Sequence, residues 1–105
     1  MHRVWDSGII EWNTKSEDIW LTELAELDTA ENRKAWMAGT VEDWGTESLL
    51  AAREAYLIPG TDKRIKSGQK LGNEYYDKHL PVVRVRLCQA GVRLAMLLNE
   101  AFGAA

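Results

Sequence analysis

Cysteine is almost absent from this chain. Cys88 is the sole one among 105 residues, which excludes an internal disulfide and a metal cage built from several thiolates. No apolar run approaches the roughly 18 residues needed to span a membrane as a helix. Neither sign of charge dominates. Lys and Arg total 13 against 16 Asp and Glu, a net charge of −3, so no strong general attraction to nucleic acid or to an anionic membrane is expected. Histidine is confined to His2 and His79. The sequence holds no internal repeat, no low-complexity tract and no glycine-rich phosphate loop, since "IPGTDKR" (58–64) lacks the required spacing. The opening residues do not set a basic segment before an apolar one, so no signal peptide is expected.

What is present reads as a helical globular protein. Hydrophobic residues make up 46% and charged residues 28%, ordinary values for such a chain. Its length suits one domain, able to bury about 65% of its unfolded surface. All five tryptophans (Trp5, Trp12, Trp20, Trp36 and Trp44) fall in the first half.

The pattern predicts an all-α class, with no convincing strand. Residues 1–6 read as the end of a helix or a lone turn, closed by Ser7-Gly8. A helix is expected over 16–27, with Glu17 and Asp18 at the positive end of its dipole and Trp20, Leu24 and Leu27 as its apolar stripe. Asp28 or Thr29 caps a short helix near 30–38 that Gly39 stops. Thr40 and Asp43 form a capping box for a helix over 41–57, ended by Pro59-Gly60. Its expected buried face reads Val41, Trp44, Ser48, Ala51, Ala52, Ala55, mostly small residues that admit a close neighbour. From Asn73 a last helical stretch runs toward Gly103. Pro81 either kinks it or begins a new helix, beyond which Val83, Leu87, Ala90, Leu94 and Leu98 repeat at helical spacing. Gly91 within that stripe implies close contact with another helix, the small face at 48–55 being the natural candidate.

Candidate chemistry is sparse. His2 and Asp6, four residues apart, would lie one turn apart on a helix, and imidazole with carboxylate suits zinc. Two donors do not complete a site, because a catalytic zinc takes three protein ligands and an open position. His79 is expected to be a surface histidine, beside Asp77 and Glu74. Cys88, with no histidine near it in sequence, reads as a small buried hydrophobe. Trp20 and Trp44 are expected in the core, while Trp5 should wedge the amino-terminal turn against the bundle. The basic loop 59–72, with Lys63, Arg64, Lys66 and Lys70, reads as a solvated surface. Arg84, Arg86 and Arg93 face more than one side of their helix, which argues against a single base-reading stripe.

Three segments carry a resemblance to a known family. "MHRVWDSGIIEW" resembles the His-x-Val-Trp-Asp segment of the S1/P1 nucleases, zinc-dependent enzymes that prefer single strands and share a fold with zinc phospholipase C. Met1 stands where those proteins commonly have leucine. "VEDWGTESLLAAREAYL" (41–57) is similar to the family's penultimate helix, and "GNEYYDKHLPVVRVRLCQAGVRLAMLLNEAFG" (72–103) to its closing segment.

The resemblance implies an all-α fold of which residues 1–105 form a single partial domain, the carboxy-terminal third of a nuclease-type domain. It implies His2 and Asp6 as ligands of one zinc, in a complete enzyme that binds three. It also implies hydrolysis of phosphodiester bonds in single-stranded DNA and RNA to leave 5′-phosphates, by secreted or periplasmic enzymes. The remaining ligands and the base-binding pocket have no counterpart here, so the isolated chain is expected to be inactive. Its expected partners are single-stranded nucleic acid in the complete enzyme and the absent amino-terminal portion. The alternatives are a non-enzymatic helical interaction module and a phospholipase C-like phosphodiesterase. Near Trp5 and Trp12 the surface should be unusually apolar.

Overall fold

Three of the helices begin where a hydroxyl caps them. The computed structural model describes residue 1 and residues 3–12, 16–66 and 68–103. A π-helical turn, Val4–Gly8, runs directly into α1 (Ile9–Trp12), and α2 (Glu17–Leu27), α3 (Ala30–Met37), α4 (Val41–Ala55) and α5 (Asn73–Ala101) follow. The Ser16 hydroxyl accepts the Ile19 N–H at 3.3 Å, and the Thr29 hydroxyl accepts that of Asn32 at 3.0 Å. At α4 the capping is reciprocal: Thr40 accepts from the Asp43 amide while the Asp43 carboxylate accepts from the Thr40 amide. Gly39 precedes this box at φ +86°, and a Cβ there would sit 2.9 Å from the Asp43 carboxylate. Both the turn and the cap therefore require glycine.

Among the described residues the only β-type pairing is an isolated bridge between Leu57 and Arg64 in the loop after α4. The class is all-helical, as expected. One departure concerns Ser7-Gly8, which does not close the first turn. The helix widens instead, the Ile9 N–H reaching the Val4 carbonyl five residues back, and continues to Trp12. Of the two readings of Pro81, a kink or a new helix, the second does not hold: it lies exposed inside a continuous α5. Its neighbours Tyr75, His79 and Val83 are buried and hold the backbone across the missing N–H.

At 29 residues, α5 is about 43 Å long, and it sets the long dimension of a molecule measuring 49 × 32 × 22 Å. Helices α1, α2 and α3 pack on it. The core is small and lies toward its amino-terminal half. Ile9, Trp20, Tyr75 and Val83 form it, flanked by Val4, Trp5, Leu24, Ile65, Leu71 and Leu80. Trp20 takes the core place expected for it, with the Arg84 guanidinium over its ring while Arg84 pairs with Glu23 at 2.8 Å. Cys88 is half-buried, and its thiol donates to the Leu24 carbonyl at 3.2 Å. Burial pushes that thiol's pKa up, and Asp28 adds to the effect.

The carboxy-terminal half of α5 is held by charge. Glu47 on α4 accepts from Arg93 through both carboxylate oxygens, at 2.9 and 3.0 Å, and also from Arg86. Arg93, buried, donates as well to the Trp36 carbonyl at 2.9 Å and lies 4.8 Å over the Trp44 ring. Two expectations fail for this reason. Because α5 turns its arginines toward α4, its leucines turn away: Val83 is buried, but Leu87, Ala90, Leu94 and Leu98 are exposed. Gly91 packs on nothing, since a Cβ there would find open space. On α4, only Ala55 of the expected face is buried, and Val41 and Ser48 are exposed.

Arg93→Ala would strip partners from Glu47 and from the Trp36 carbonyl at once. We expect it to lower stability by about 2 kcal/mol, with the half-exposed Glu47 moderating the loss. Arg33→Ala, removing an exposed pair with Asp28, should change the urea midpoint little. Denaturation of both variants beside the parent chain measures the contrast.

Candidate functional site

The amino-terminal turn is pinned to α5 along one side. The Trp5 indole N–H donates to the Tyr75 hydroxyl at 2.9 Å, and its ring meets the His79 ring edge-on at 5.1 Å. Trp12 stacks on Tyr76 at 5.4 Å and donates to the Asn73 side chain at 3.1 Å. Ile9 between them is fully buried. With Val4, Trp5 and Ile9 drawn into the core, Asp6 is left exposed on the other side of the turn. Trp5 thus wedges the turn against the bundle, as expected from sequence.

A cleft of about 630 Å³ is lined by Asp6 and Trp5 of the first turn, by Ala51, Ala52 and Ala55 of α4, and by Arg86 of α5. The alanines thus border open space, although the Ala55 carbonyl also accepts from the Tyr75 hydroxyl of α5. The Arg86 guanidinium is already engaged by Glu47, Ser48 and Gln89. Glu47 bears directly on that charge. Hydrogen bonding from Arg93 holds its carboxyl below the usual range, burial opposes this, and the charges of Arg93 and Arg86 add to the lowering.

The donor set for a metal is partial. His2 lies outside the described residues. Among the described residues, no group of three or more His, Cys, Asp and Glu side chains is placed to hold a metal ion. Asp6 accepts no hydrogen bond from a described residue, and an exposed carboxylate suits zinc as one ligand. It does not fit a whole site, which takes three or four protein donors.

His79 is not the surface residue expected. It is 2% exposed, against Tyr75 at 4.4 Å between ring centroids and against Trp5, and among the described residues neither ring nitrogen has a hydrogen-bond partner. The signal was its spacing: Tyr75, His79 and Val83 fall four apart on one helix face. Burial drives its pKa down from the ordinary value, the Lys78 charge does so further, and Glu54 opposes them. The cations of the basic loop, Lys63, Arg64, Lys66 and Lys70, are exposed as expected. The residues that sequence reading missed are Glu47 and its two arginines, joined across 39 and 46 positions.

Comparison with known proteins places these observations. A family model for the S1/P1 nucleases matches residues 1–103. The chain is similar to Endonuclease 2 of Arabidopsis thaliana, with 34% identity over 113 residues, covering 98% of this chain and 38% of that protein. Endonuclease 1 of the same plant is 32% identical over 117 residues (97% and 36%), and Endonuclease 3 is 33% identical over 116 residues (99% and 38%). The chain therefore spans little more than a third of the length of these curated relatives. No solved structure matches it.

The buried His79 makes stability depend on pH. Its folded pKa lies below the unfolded value of about 6.5, so the unfolded chain binds the proton more readily. The penalty is absent above that pH and grows as pH falls through it toward the lowered folded value. We expect the difference in urea midpoint between pH 7.5 and 5.0 to shrink in His79→Phe relative to the parent.

Proposed function

The chain belongs to the S1/P1 nuclease family, and from that premise we propose that it forms the carboxy-terminal portion of a zinc-dependent nuclease, with His2 and Asp6 as two ligands of one zinc ion. The observation carrying this reading is the placement of Asp6. Its carboxylate stands exposed at the lip of a cleft, on a turn whose other side is fixed by Trp5, Ile9 and the Tyr75 hydroxyl. That anchoring holds a ligand in place without consuming its oxygens, as pre-organised coordination requires.

In the complete enzyme the substrate is single-stranded DNA or RNA, cut to leave 5′-phosphates. Zinc, when bound, supplies a Lewis acid for the phosphodiester and a water of lowered pKa. The contribution of this chain is to orient one carboxylate and one imidazole toward that centre. Trp5 sets the position of the turn, and the Glu47 pairing keeps the Arg86 charge occupied beside the cleft. With 38% of the length of Endonuclease 2 and an incomplete donor set, the isolated chain has no measurable nuclease activity in this reading. The exposed apolar residues of α5 favour, alongside it, a role as a helical interaction module.

Zinc titration of the purified chain, followed by a cleavage assay on single-stranded DNA, tests the proposal. We expect weak zinc binding and no cleavage. Four-ligand structural sites bind zinc with about 10–16 kcal/mol, so loss of one donor from so few should weaken binding at least about tenfold in Asp6→Asn and in His2→Ala. Zinc affinity indifferent to both substitutions would refute the ligand assignment. Co-expression with the part of Endonuclease 2 outside the match should restore cleavage that Asp6→Asn removes.

A further inference from the structure

One ionisable group lies buried outside the proposed site, and its burial does not depend on how much polypeptide surrounds this chain. His79 is 2% exposed. Further polypeptide, such as the longer relatives carry, can cover more of this surface but cannot uncover a residue already enclosed. The imidazole lies against the Tyr75 and Trp5 rings, and among the described residues neither of its nitrogens has a hydrogen-bond partner.

A neutral imidazole tolerates such a place better than its cation does. Protonation gives the ring a charge and two N–H donors that need acceptors. The enclosure supplies none. The Tyr75 hydroxyl already donates to the Ala55 carbonyl and accepts from the Trp5 indole. On α5, Lys78 repels a charged ring, and Glu74 and Asp77 are exposed. On α4, Glu54 attracts it, but Glu54 is exposed and pairs with Lys78 at 3.7 Å; Tyr56 beside it is exposed too. The first turn brings Arg3 and Asp6, α1 brings Glu11, and the loop brings Arg64 and Lys66 on either side of Ile65; all five are exposed. Among the described residues no carboxylate bonds to the ring.

A protonated ring must therefore reach water, and its walls differ in what they can give. Tyr75 and His79 belong to one continuous helix of 29 residues, so neither leaves the other without breaking α5. Trp5 belongs to a π-helical turn of 5 residues, a short and uncommon geometry. Among the described residues the Trp5–Tyr75 bond is the side-chain hydrogen bond that ties this turn to α5. The same indole lines the cleft of about 630 Å³, so its displacement opens a route from the imidazole to solvent. Ile9, fully buried, keeps α1 seated, which puts the hinge at Ser7-Gly8. We propose that His79 is a proton-operated latch: protonation of its imidazole displaces Trp5 and lifts the first turn, while α2 to α5 stay folded. Asp6 rides on that turn, but the latch rests neither on zinc nor on nuclease activity.

Hydrogen exchange followed by NMR on the isotope-labelled 105-residue chain, in EDTA, tests it. In the lifted state His79 titrates near about 6.5, and burial lowers the value in the closed state. Between those values the opening equilibrium gains at most about tenfold for each pH unit lost. Corrected for intrinsic exchange, protection of the Trp5 indole N–H should therefore fall severalfold from about pH 6 to 5, and stay level in His79→Phe. It should also lie at least about a hundredfold below that of the Val83 and Gln89 amides of α5 at every pH, as local opening requires. His2→Ala should leave the fall in place, and this arm decides the matter if His79→Phe does not fold. Trp5 protection indifferent to pH would overturn the proposal. So would a fall that survives in folded His79→Phe, a fall that His2→Ala abolishes, or equal protection of Trp5 and the α5 amides, which means the whole molecule opens at once.

Discussion

The hydroxyl of Tyr75 is where the amino-terminal turn, the end of α4 and the start of α5 converge. It accepts from the Trp5 indole at 2.9 Å and donates to the Ala55 carbonyl at 2.6 Å. That carbonyl belongs to the last turn of α4, where helical acceptors lack partners within the helix. One phenol thus satisfies a helix end, anchors a tryptophan across 70 positions and is itself buried. Burial pushes its pKa above the ordinary value, with the Trp5 hydrogen bond opposing, so the group keeps its proton and stays able to donate. The setting of Asp6 follows from this arrangement, because among the described residues the Trp5–Tyr75 bond is the side-chain hydrogen bond that ties its turn to the core. Loss of the phenol oxygen would leave both the indole N–H and the Ala55 carbonyl wanting a partner in a dry setting, a cost larger than one ordinary hydrogen bond.

Helix existence and helix starts were legible from local chemistry. Thr29, Thr40 with Asp43, and the Trp20 stripe of α2 each behave as sequence reading expects, because a cap or a stripe involves residues within one or two turns. The direction in which α5 faces was not legible. Its leucine periodicity is real, yet periodicity says only that a face is apolar, not what covers it. The inward face was decided by Glu47, which draws Arg86 and Arg93 toward α4 from across the chain. A pairing between residues so far apart leaves no local mark. Pro81 left two readings open, a kink or a fresh start, and buried residues on both sides of it carry one helix through.

The candidate site was legible only through likeness to a family. Composition and spacing give a histidine and an aspartate four apart and nothing more, whereas three quoted segments in order pointed to the S1/P1 nucleases, and residues 1–103 match that family. Physical reading added the setting of Asp6 and corrected His79. A histidine flanked by charged residues in sequence reads as exposed, but Tyr75 and Val83 at one helical period on either side place it inward. Even an imidazole without partners is tolerated there, because it enters neutral and surrounds itself with aromatic rings.

The tryptophans have a consequence of another kind. Trp5 lies against an imidazole, Trp12 against a phenol ring, Trp20 beneath one guanidinium and Trp44 beneath another. Each such indole sits at a joint between two segments: the first turn with α5, α1 with α5, α2 with α5, and α4 with α5. Their emission is therefore a set of separate optical reporters, each shifted or quenched by a different neighbour. A chain retaining one indole at a time would show, by colour and intensity, which joint opens first as the fold comes apart.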